Sequence, residues 1–240
     1  MDEAPVARAG GKPILLVALL VATCGLVYEL LAGTVASWVL GDTVTQFSLV
    51  IGLYLGAMGL GSWLSSKVSR GAAERFIETE LALAVLGGAM VPLLFLLFDR
   101  PLGFRAALYL SVLALGALVG LEIPLLLRVL GEHESFRSVI ARVLAFDHLG
   151  SLVGSLAFAW WLAPNLGVLR AGLLVGATNA IAAFASTYAL VLAPSPRRII
   201  YRTMSVIIAL GWLVSMAYAQ VLERTIDRET HTSYAESSRG

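Results

Sequence analysis

The chain has 240 residues, of which 58% are hydrophobic and 14% are charged, with a net charge of +1 and a mean hydropathy of +0.85. An average soluble domain is roughly 25% charged, so this composition predicts an integral membrane protein. The near-zero net charge argues against a nucleic-acid partner. The single cysteine, Cys24, excludes an intrachain disulfide and a cysteine-based metal site.

Long apolar runs follow one another along the chain, and they predict an all-α integral membrane protein, a bundle of about seven transmembrane helices. Each run approaches or exceeds the roughly 20 residues that a helix needs to cross the bilayer core, and turn-forming or charged residues separate the runs. The predicted spans are 13–40, 45–66, 78–98, 104–129, 139–163, 168–192 and 199–221. The membrane domain thus covers 13–221, between an N-terminal tail, 1–12, and a polar C-terminal tail, 222–240.

The distribution of lysine and arginine predicts the orientation of these helices. Eleven of these residues lie in the N-terminal tail and in the second, fourth and sixth connections, against six on the opposite side. Because cytoplasmic segments are enriched in lysine and arginine, the N-terminus is predicted to be cytoplasmic. Seven spans would then place the C-terminus outside.

Glycines recur at four-residue spacing in four of the predicted spans. This spacing puts small residues on one face of a helix, where a neighbouring backbone can approach closely. We expect ordinary helix packing at these positions, with a glycine-lined substrate path as the alternative. The pairs are Gly52 and Gly56, Gly116 and Gly120, Gly150 and Gly154, and Gly172 and Gly176.

Three carboxylates lie within the apolar runs. Glu29 is in the first predicted span, Glu122 is in the fourth, and Asp147 is in the fifth, next to His148. A charged side chain at bilayer depth costs about 2.5–3.5 kcal/mol on insertion scales. Because a chain retains such a group only when it is paired, neutralised or useful, these residues are the candidates for function or for helix pairing.

The positions of these carboxylates along the helices predict their depths. At 1.5 Å per residue, Glu122 and Asp147 both lie roughly 8–9 Å below the inner interface, on consecutive antiparallel helices. We therefore expect them to form a pair, with Arg128 or Arg142 within reach. Glu29 lies roughly 22 Å from the inner end of its span, so we expect it to stand apart from that pair and to face the bundle interior.

The residues alone leave three interpretations of these polar groups open. They could pair helices structurally, they could form a proton- or cation-linked path suited to an amine, or they could dock a partner or a further domain. A metal site is a weaker interpretation, because no histidine pair has ligand spacing. Motifs of soluble enzymes, such as the phosphate-binding loop and the zinc-protease helix, do not occur in the sequence. We therefore predict no catalytic residue, no metal site and no cofactor in this chain.

Several longer motifs occur in a fixed order between residues 14 and 220. They are GLVYEL at 25–30, LGDTVTQFS at 40–48, GLYLGAMGLGS at 52–62, EIPL at 122–125, FDHLGSLVG at 146–154, PNLGV at 164–168 and NA at 179–180. Together they resemble the membrane region of bacterial membrane-bound spermidine synthase-like proteins, the polyamine aminopropyltransferases.

The resemblance implies a multi-pass protein of the bacterial cytoplasmic membrane. In that family the membrane region is normally followed by an aminopropyltransferase domain of the methyltransferase-like Rossmann type. That domain transfers an aminopropyl group from decarboxylated S-adenosylmethionine to an amine. YAESS at 234–238 resembles the lead-in to it, and no catalytic position of the domain lies within this sequence.

The expected function is therefore that of a membrane module, which anchors an aminopropyltransferase-type domain or partner and takes part in polyamine handling. Its expected partners are the lipid bilayer and either such a domain or another membrane protein subunit. Two alternatives remain open at this point. The chain could be a small transporter of cations or polyamines, or it could be a structural subunit of a larger membrane complex.

Overall fold

The computed structural model describes residues 11–68, 71–131, 136–190 and 196–237, and it describes side chains within 13–68, 71–130, 137–190 and 196–219. Residues 1–10 of the predicted N-terminal tail and 238–240 of the predicted C-terminal tail lie outside the described residues. The side chains of the YAESS segment also lie outside them.

Every regular element in the described part of the chain is helical, which confirms the all-α prediction for these residues. The helices are α1 (Gly11–Leu40), α2 (Thr43–Ser65), α3 (Ala72–Leu96), α4 (Pro101–Gly131), α5 (Phe136–Ala157), α6 (Gly167–Ala189) and α7 (Pro196–Ser237), with a π-helical segment, Phe158–Leu166, between α5 and α6.

The number of apolar helical stretches differs from the predicted seven. Six stretches in the described chain are long and apolar enough to cross a membrane, judged by length and composition. The predicted spans 139–163 and 168–192 fall largely within a single stretch, Arg137–Ala189, of 53 residues. The reason is that the π-helical segment Phe158–Leu166 continues the helical hydrogen bonding between α5 and α6.

The first part of this long stretch, α5, runs parallel to α1. Gly150 lies against the backbone of Leu19, and Gly154, one turn later, lies against the backbone of Thr23. The Thr23 hydroxyl also donates a hydrogen bond to the Gly150 carbonyl at 3.0 Å. Position along α5 therefore increases together with position along α1.

The second part, α6, runs antiparallel to α1. Its early residue Gly172 lies near Leu31, whereas its late residue Phe184 shares a groove with Leu20. The chain thus reverses direction between α5 and α6. At this point Gly167 has a φ of +71°, a left-handed conformation that glycine adopts without steric cost.

α1 is the central helix of the bundle, since it packs against each of α2, α3, α4, α5 and α6. Its N-terminal half contributes Ile14 and Val21 to one apolar core with Phe76 and Leu125. Its C-terminal half contributes residues to a second apolar core. The buried residues of that C-terminal half are Cys24, Val27, Tyr28, Leu31, Ala32, Val35 and Ala36. A helix that is apolar on most of its faces is expected in such a central position.

Six of the eight predicted packing glycines lie at close helix contacts. Each of the six lies against one residue of another helix. The pairs are Gly116 with Tyr54, Gly120 with Met58, Gly150 with Leu19, Gly154 with Thr23, Gly172 with Val91, and Gly176 with Gly88. At Gly120 an added Cβ would overlap the backbone of Met58. Small residues at these sites therefore allow the helix backbones to approach each other, as expected for membrane helices.

Gly52 and Gly56 are the exceptions, and here the expectation of packing is not met within this chain. The space around both positions is open. α2 instead turns Tyr54, Ala57 and Gly61 towards the bundle. Because successive residues of a helix differ by about 100° in direction, the face of Tyr54 and the face of Gly52 and Gly56 cannot both be buried against α4.

Candidate functional site

Glu122 of α4 lies in the interior of the bundle, where its side chain is 3% exposed. Its Oε1 atom accepts no hydrogen bond from any described residue. Buried polar atoms in proteins are nearly always paired, so an unpaired carboxylate oxygen in this position requires a chemical explanation. This residue was predicted from the sequence as a candidate.

Glu80 of α3 is a second buried carboxyl group, and the sequence analysis missed it. Its side chain is fully buried. Asn179 of α6, also fully buried, donates through Nδ2 to Glu80 Oε2 at 2.8 Å and to the Glu80 backbone carbonyl at 3.0 Å. Asn179 donates both amide hydrogens to Glu80, and these two hydrogen bonds determine the orientation of the Asn179 side chain.

Glu80 was missed because its sequence context indicated a solvated helix end. The predicted third span began at residue 78, next to Arg75 and Glu78. In the structure α3 begins at Ala72, so Glu80 lies about two turns inside the helix. Asn179 was noticed in the sequence only as part of a motif. Its hydrogen bond to Glu80, 99 residues away, could not be predicted because it depends on how α3 and α6 pack together.

The carboxyl groups of Glu80 and Glu122 lie within hydrogen-bonding reach of each other. Tyr28 of α1 lies within electrostatic range of both, is fully buried, and has a hydroxyl group without a hydrogen-bond partner. We call Tyr28, Glu80, Glu122 and Asn179 the interior polar cluster. It brings together side chains from α1, α3, α4 and α6, at the level where the two apolar cores of the bundle meet.

Asp147 of α5 lies beside this cluster and is half-buried. A cavity of ≈ 10 Å³ separates it from Glu122. The two carboxylates thus line the same cavity. The lining residues are Ala18, Val21, Glu122, Ile123, Leu126, Val143 and Asp147. Asp147 Oδ2 also lies 3.4 Å from Nδ1 of His148, whose side chain is 79% exposed.

The two arginines predicted to accompany these carboxylates make other contacts. Arg128 donates through Nη1 to the backbone carbonyl of Val68, in the connection between α2 and α3. Arg142 is exposed, and its Nε donates to the carbonyl of Ser138 on its own helix at 3.3 Å. The expected pairing of Arg128 or Arg142 with one of the two carboxylates stays a prediction. Arg128 is directed towards the connecting segment because a guanidinium group near the helix end can satisfy a backbone carbonyl there.

The side chain of Glu29 is half-buried rather than directed fully into the bundle. Tyr54 of α2 is buried and lies within electrostatic range of both Glu29 and Glu122. The Tyr54 hydroxyl donates to the Gly25 carbonyl at 2.8 Å and is not available to Glu29 as a donor. The separation of Glu29 from Glu122 and Asp147 that its depth implies stays a prediction.

A larger groove, of ≈ 660 Å³, lies between α1 and α6. It is lined by Pro13, Leu16, Val17, Leu20, Phe184, Ala185, Tyr188 and Ala189. None of these side chains carries a negative charge. Two guanidinium groups lie next to the groove, those of Arg202 and Arg198, at 3.6 Å and 5.7 Å from the centre of the Tyr188 ring. The described lining of this groove therefore lacks the acidic groups that a polyamine would require.

The interior polar cluster has more hydrogen-bond acceptors than donors. Oε1 of Glu80, Oε1 of Glu122 and Oδ1 of Asn179 have no donor, and the Tyr28 hydroxyl is the unpaired group that can donate. The described side chains contain no group of three or more His, Cys, Asp or Glu residues placed to hold a metal ion. The arrangement is suited to binding a proton or a small donor rather than a multivalent metal.

Comparison with known proteins gives a consistent set of relatives. The chain is 42% identical over 214 residues to a polyamine aminopropyltransferase of Leptospira interrogans, which covers 89% of this chain and 43% of that protein. It is 46% identical over 183 residues to polyamine aminopropyltransferase 1 of Ralstonia nicotianae, covering 75% of this chain and 35% of the relative. A polyamine aminopropyltransferase of Mycobacterium tuberculosis is 33% identical over 225 residues, covering 89% of this chain and 43% of the relative.

No protein-family model and no solved structure matches the chain. The chain spans less than half the length of the curated relatives it matches. The similarity in sequence is therefore to one portion of proteins that are named polyamine aminopropyltransferases, which supports the resemblance seen in its motifs.

Proposed function

We propose that this chain is the membrane-embedded module of a polyamine aminopropyltransferase-like protein, in which it holds an aminopropyltransferase-type domain or partner at the bacterial cytoplasmic membrane. The observation that carries this proposal is the distribution of the match. The Leptospira interrogans relative is matched over 89% of this chain but over only 43% of its own length. The apolar helices described here therefore correspond to one portion of a longer transferase.

The outer surface of the bundle supports a location in lipid. In the most apolar part of α7 only 17% of the residues are buried inside the bundle, and in α2 only 22%. Large apolar side chains such as Leu55, Leu110 and Ile207 are more than half exposed. Soluble monomers rarely expose extended apolar surfaces, whereas a bilayer provides an apolar surrounding for them.

Exposed tryptophans support the placement of the helix ends. Trp38 is 64% exposed near the end of α1, and Trp160 is 75% exposed in the π-helical segment that follows α5. Trp63 is 59% exposed near the end of α2, with the Lys67 ammonium 4.2 Å from the centre of its ring. Tryptophan is enriched at both membrane–water interfaces, so these residues fit the edges of the bilayer.

We propose that the stretch Arg137–Ala189 crosses the membrane twice. Its 53 residues would form about 80 Å of helix, which is more than twice the roughly 30 Å of the hydrocarbon core. The parallel packing of α5 on α1 and the antiparallel packing of α6 on α1 support a reversal at Gly167. Seven crossings follow from this proposal, and the distribution of lysine and arginine would place the N-terminus on the cytoplasmic side.

The experiment is a co-expression in bacteria. The chain is produced together with the part of the Leptospira interrogans relative that lies outside the match, and membranes are washed with alkaline carbonate. We expect both proteins in the washed membranes, and we expect transfer of an aminopropyl group from decarboxylated S-adenosylmethionine to putrescine in that fraction. The control is the transferase part expressed alone, which should remain in the supernatant.

Two results would overturn the proposal. One is release of this chain by the carbonate wash, which would contradict a membrane-embedded fold. The other is a transferase part that stays soluble in the presence of the chain and also when it is fused to the chain's C-terminus. The fusion protein gives the stronger test. A weak contact between two separate chains is lost on dilution, whereas a covalent link keeps the transferase part next to the membrane chain.

Transport of a cation is the second candidate function, and the interior polar cluster favours it. A polyamine does not fit the cavity beside Glu122, which measures ≈ 10 Å³, about the volume that one water requires. Proteoliposome flux separates the two functions. A transporter that uses this cluster should carry protons faster than empty liposomes and lose this flux in Glu122→Gln, whereas an anchor should show no flux in either form.

A further inference from the structure

We propose that Glu80 and Glu122 together bind a proton in the interior of the bundle, with Asn179 as the residue that positions Glu80. The site is formed by the interior polar cluster and goes beyond the anchoring role proposed above, on which it does not depend. The proposal rests on hydrogen-bond geometry and burial, and its first step is a count of donors and acceptors.

The count leaves the carboxyl pair short of donors. Asn179 donates both of its amide hydrogens to Glu80, one to Oε2 and one to the backbone carbonyl. The Oε1 atoms of Glu80 and Glu122 remain without a donor, although both side chains are at least 97% buried. An ionised carboxylate has no hydrogen to donate. Two ionised carboxylates facing each other would repel, whereas one added proton converts the contact into an O–H···O⁻ hydrogen bond.

The described groups that interact with the pair do not supply a compensating positive charge. Within electrostatic range or hydrogen-bonded are Cys24 and Tyr28 of α1, Tyr54 of α2, Asp147 of α5 and Asn179 of α6. These groups are neutral or acidic. Two neighbouring carboxylates in a low-dielectric interior repel each other more strongly than they would in water, so binding a proton is the simplest way to neutralise one of them.

The size of the adjoining space selects a proton over larger cations. The cavity beside Glu122 has a volume of ≈ 10 Å³, which is about the requirement of a single water. It cannot hold an extended amine. The described residues also do not offer the three or more ligands that a bound metal ion would need.

The same cavity provides a route between the pair and the surface. Asp147 lines it opposite Glu122, and Asp147 Oδ2 lies 3.4 Å from Nδ1 of the exposed His148. A proton from bulk water can pass from His148 to the Asp147 carboxylate. One water in the cavity can then pass it on to Glu122. Each step breaks one O–H or N–H bond and forms another, and no other reactant is needed.

Infrared spectroscopy of the full chain in lipid nanodiscs tests the proton site directly. A carboxyl group that holds a proton shows a C=O stretching band that a carboxylate lacks, and this band shifts when deuterium replaces the proton. We expect the wild-type chain to show such a band at pH 7 and to lose it in Glu80→Gln and in Glu122→Gln. Glutamine keeps the size of the side chain and supplies amide hydrogens, so these variants should remain folded.

Asp99→Asn is the matched control, because Asp99 is exposed in the turn between α3 and α4. Its band at pH 7 should equal that of the wild type. The proton site is overturned if the wild-type chain shows no protonated-carboxyl band at pH 7. It is also overturned if the band keeps its full area in the double variant Glu80→Gln and Glu122→Gln. The first of these results needs no variant and therefore does not depend on variant folding.

The route is tested by the rate of deuterium exchange of the same band. Asp147→Asn removes the group that accepts the proton from His148 but leaves the Glu80–Glu122 pair intact. We expect the band to remain and its exchange to be slower by at least tenfold. An unchanged exchange rate would overturn the route through Asp147, while the presence of the band would still report on the proton site.

Discussion

Asn179 donates both of its amide hydrogens to Glu80, a residue 99 positions earlier in the chain. One hydrogen bond goes to the carboxyl group and the other to the backbone carbonyl of the same residue. The pair joins α3 to α6 at a fully buried position. Oε2 of Glu80 is thus paired with Asn179, and Oε1 is left without a donor.

The first prediction concerns this pair. Asn179→Ala removes two buried hydrogen bonds and leaves Oε2 of Glu80 without a donor, whereas the Glu80 backbone carbonyl keeps its helical partner. The cost should be about 1–3 kcal/mol of unfolding free energy, seen as a lower thermal unfolding temperature in detergent. Asn165→Ala is the control, because Asn165 is exposed and its Nδ2 bonds only the Trp161 carbonyl one turn earlier. Equal unfolding temperatures for the two variants would contradict the prediction.

The second prediction concerns opposite effects of the same substitution at two glycines. In Gly120→Ala the new methyl group would overlap the Met58 backbone, so helices α2 and α4 must separate, at a cost of about 1–3 kcal/mol. In Gly56→Ala the methyl group enters open space, and the better helix propensity of alanine should stabilise α2 by about 0.5–1 kcal/mol.

Thermal unfolding of both glycine variants in the same detergent checks this difference. A destabilised Gly56→Ala would mean that Gly56 packs against another chain, since no described atom of this chain lies within 4 Å of its Cβ position. Measuring the oligomeric state of that variant would then show whether the open face of α2 is an interface.

The third prediction concerns acid and the start of α2. Asp42, at the N-cap, accepts hydrogen bonds from the Thr45 hydroxyl at 2.6 Å and from the Thr45 backbone N–H at 3.3 Å. These bonds hold the pKa of Asp42 below its ordinary value of 3.8. Because the folded pKa is lowered, the stabilisation is present above pH 3.8 and is lost as the pH falls through the folded value.

Asp42→Asn is the comparison that isolates this contribution. Asparagine is a good N-cap residue and tolerates the left-handed conformation of this position, where φ is 42°, but it does not titrate. As the pH falls below 3.8, the unfolding temperature of the wild type should decrease more than that of this variant. Parallel pH profiles for the two proteins would contradict the assignment.

The fourth prediction concerns orientation in the membrane. Lys67 follows α2 and Asp99 follows α3, and both side chains are exposed. If the N-terminus is cytoplasmic, a membrane-impermeant maleimide should label Asp99→Cys in intact spheroplasts and Lys67→Cys only after permeabilisation. The native Cys24 is 2% exposed and should contribute little background. The reverse labelling pattern would invert the topology.

The sequence was sufficient to predict an all-helical fold, because helix formation depends on local composition, but the number of apolar stretches was predicted only in part. Long apolar runs predict long helices, and Pro101 and Pro196 begin two of them as expected from the fixed φ of proline. The continuous helical hydrogen bonding through Phe158–Leu166 was not predicted. It includes Pro164, which in the sequence indicated a break between two spans.

The candidate site was predicted only in part. Glu122 and Asp147 were singled out because a carboxylate among apolar residues is conspicuous in any sequence, and their similar depth follows from helix geometry. The facing direction of Gly52 and Gly56 was not predictable, because small residues at four-residue spacing do not indicate which face of α2 meets α4. The same holds for Arg128, whose flexible side chain selects its partner only after the α2–α3 connection is in place.

Local patterns of hydropathy thus determine that this chain forms long apolar helices, since the cost of exposing a backbone amide or an apolar side chain depends on a residue and its near neighbours. The tertiary structure decides which buried groups meet. Glu80 and Asn179 become partners only because α6 packs antiparallel to α3. A hydrogen bond between residues 99 positions apart leaves no periodic signal in the sequence, and it is this bond that positions the carboxyl pair.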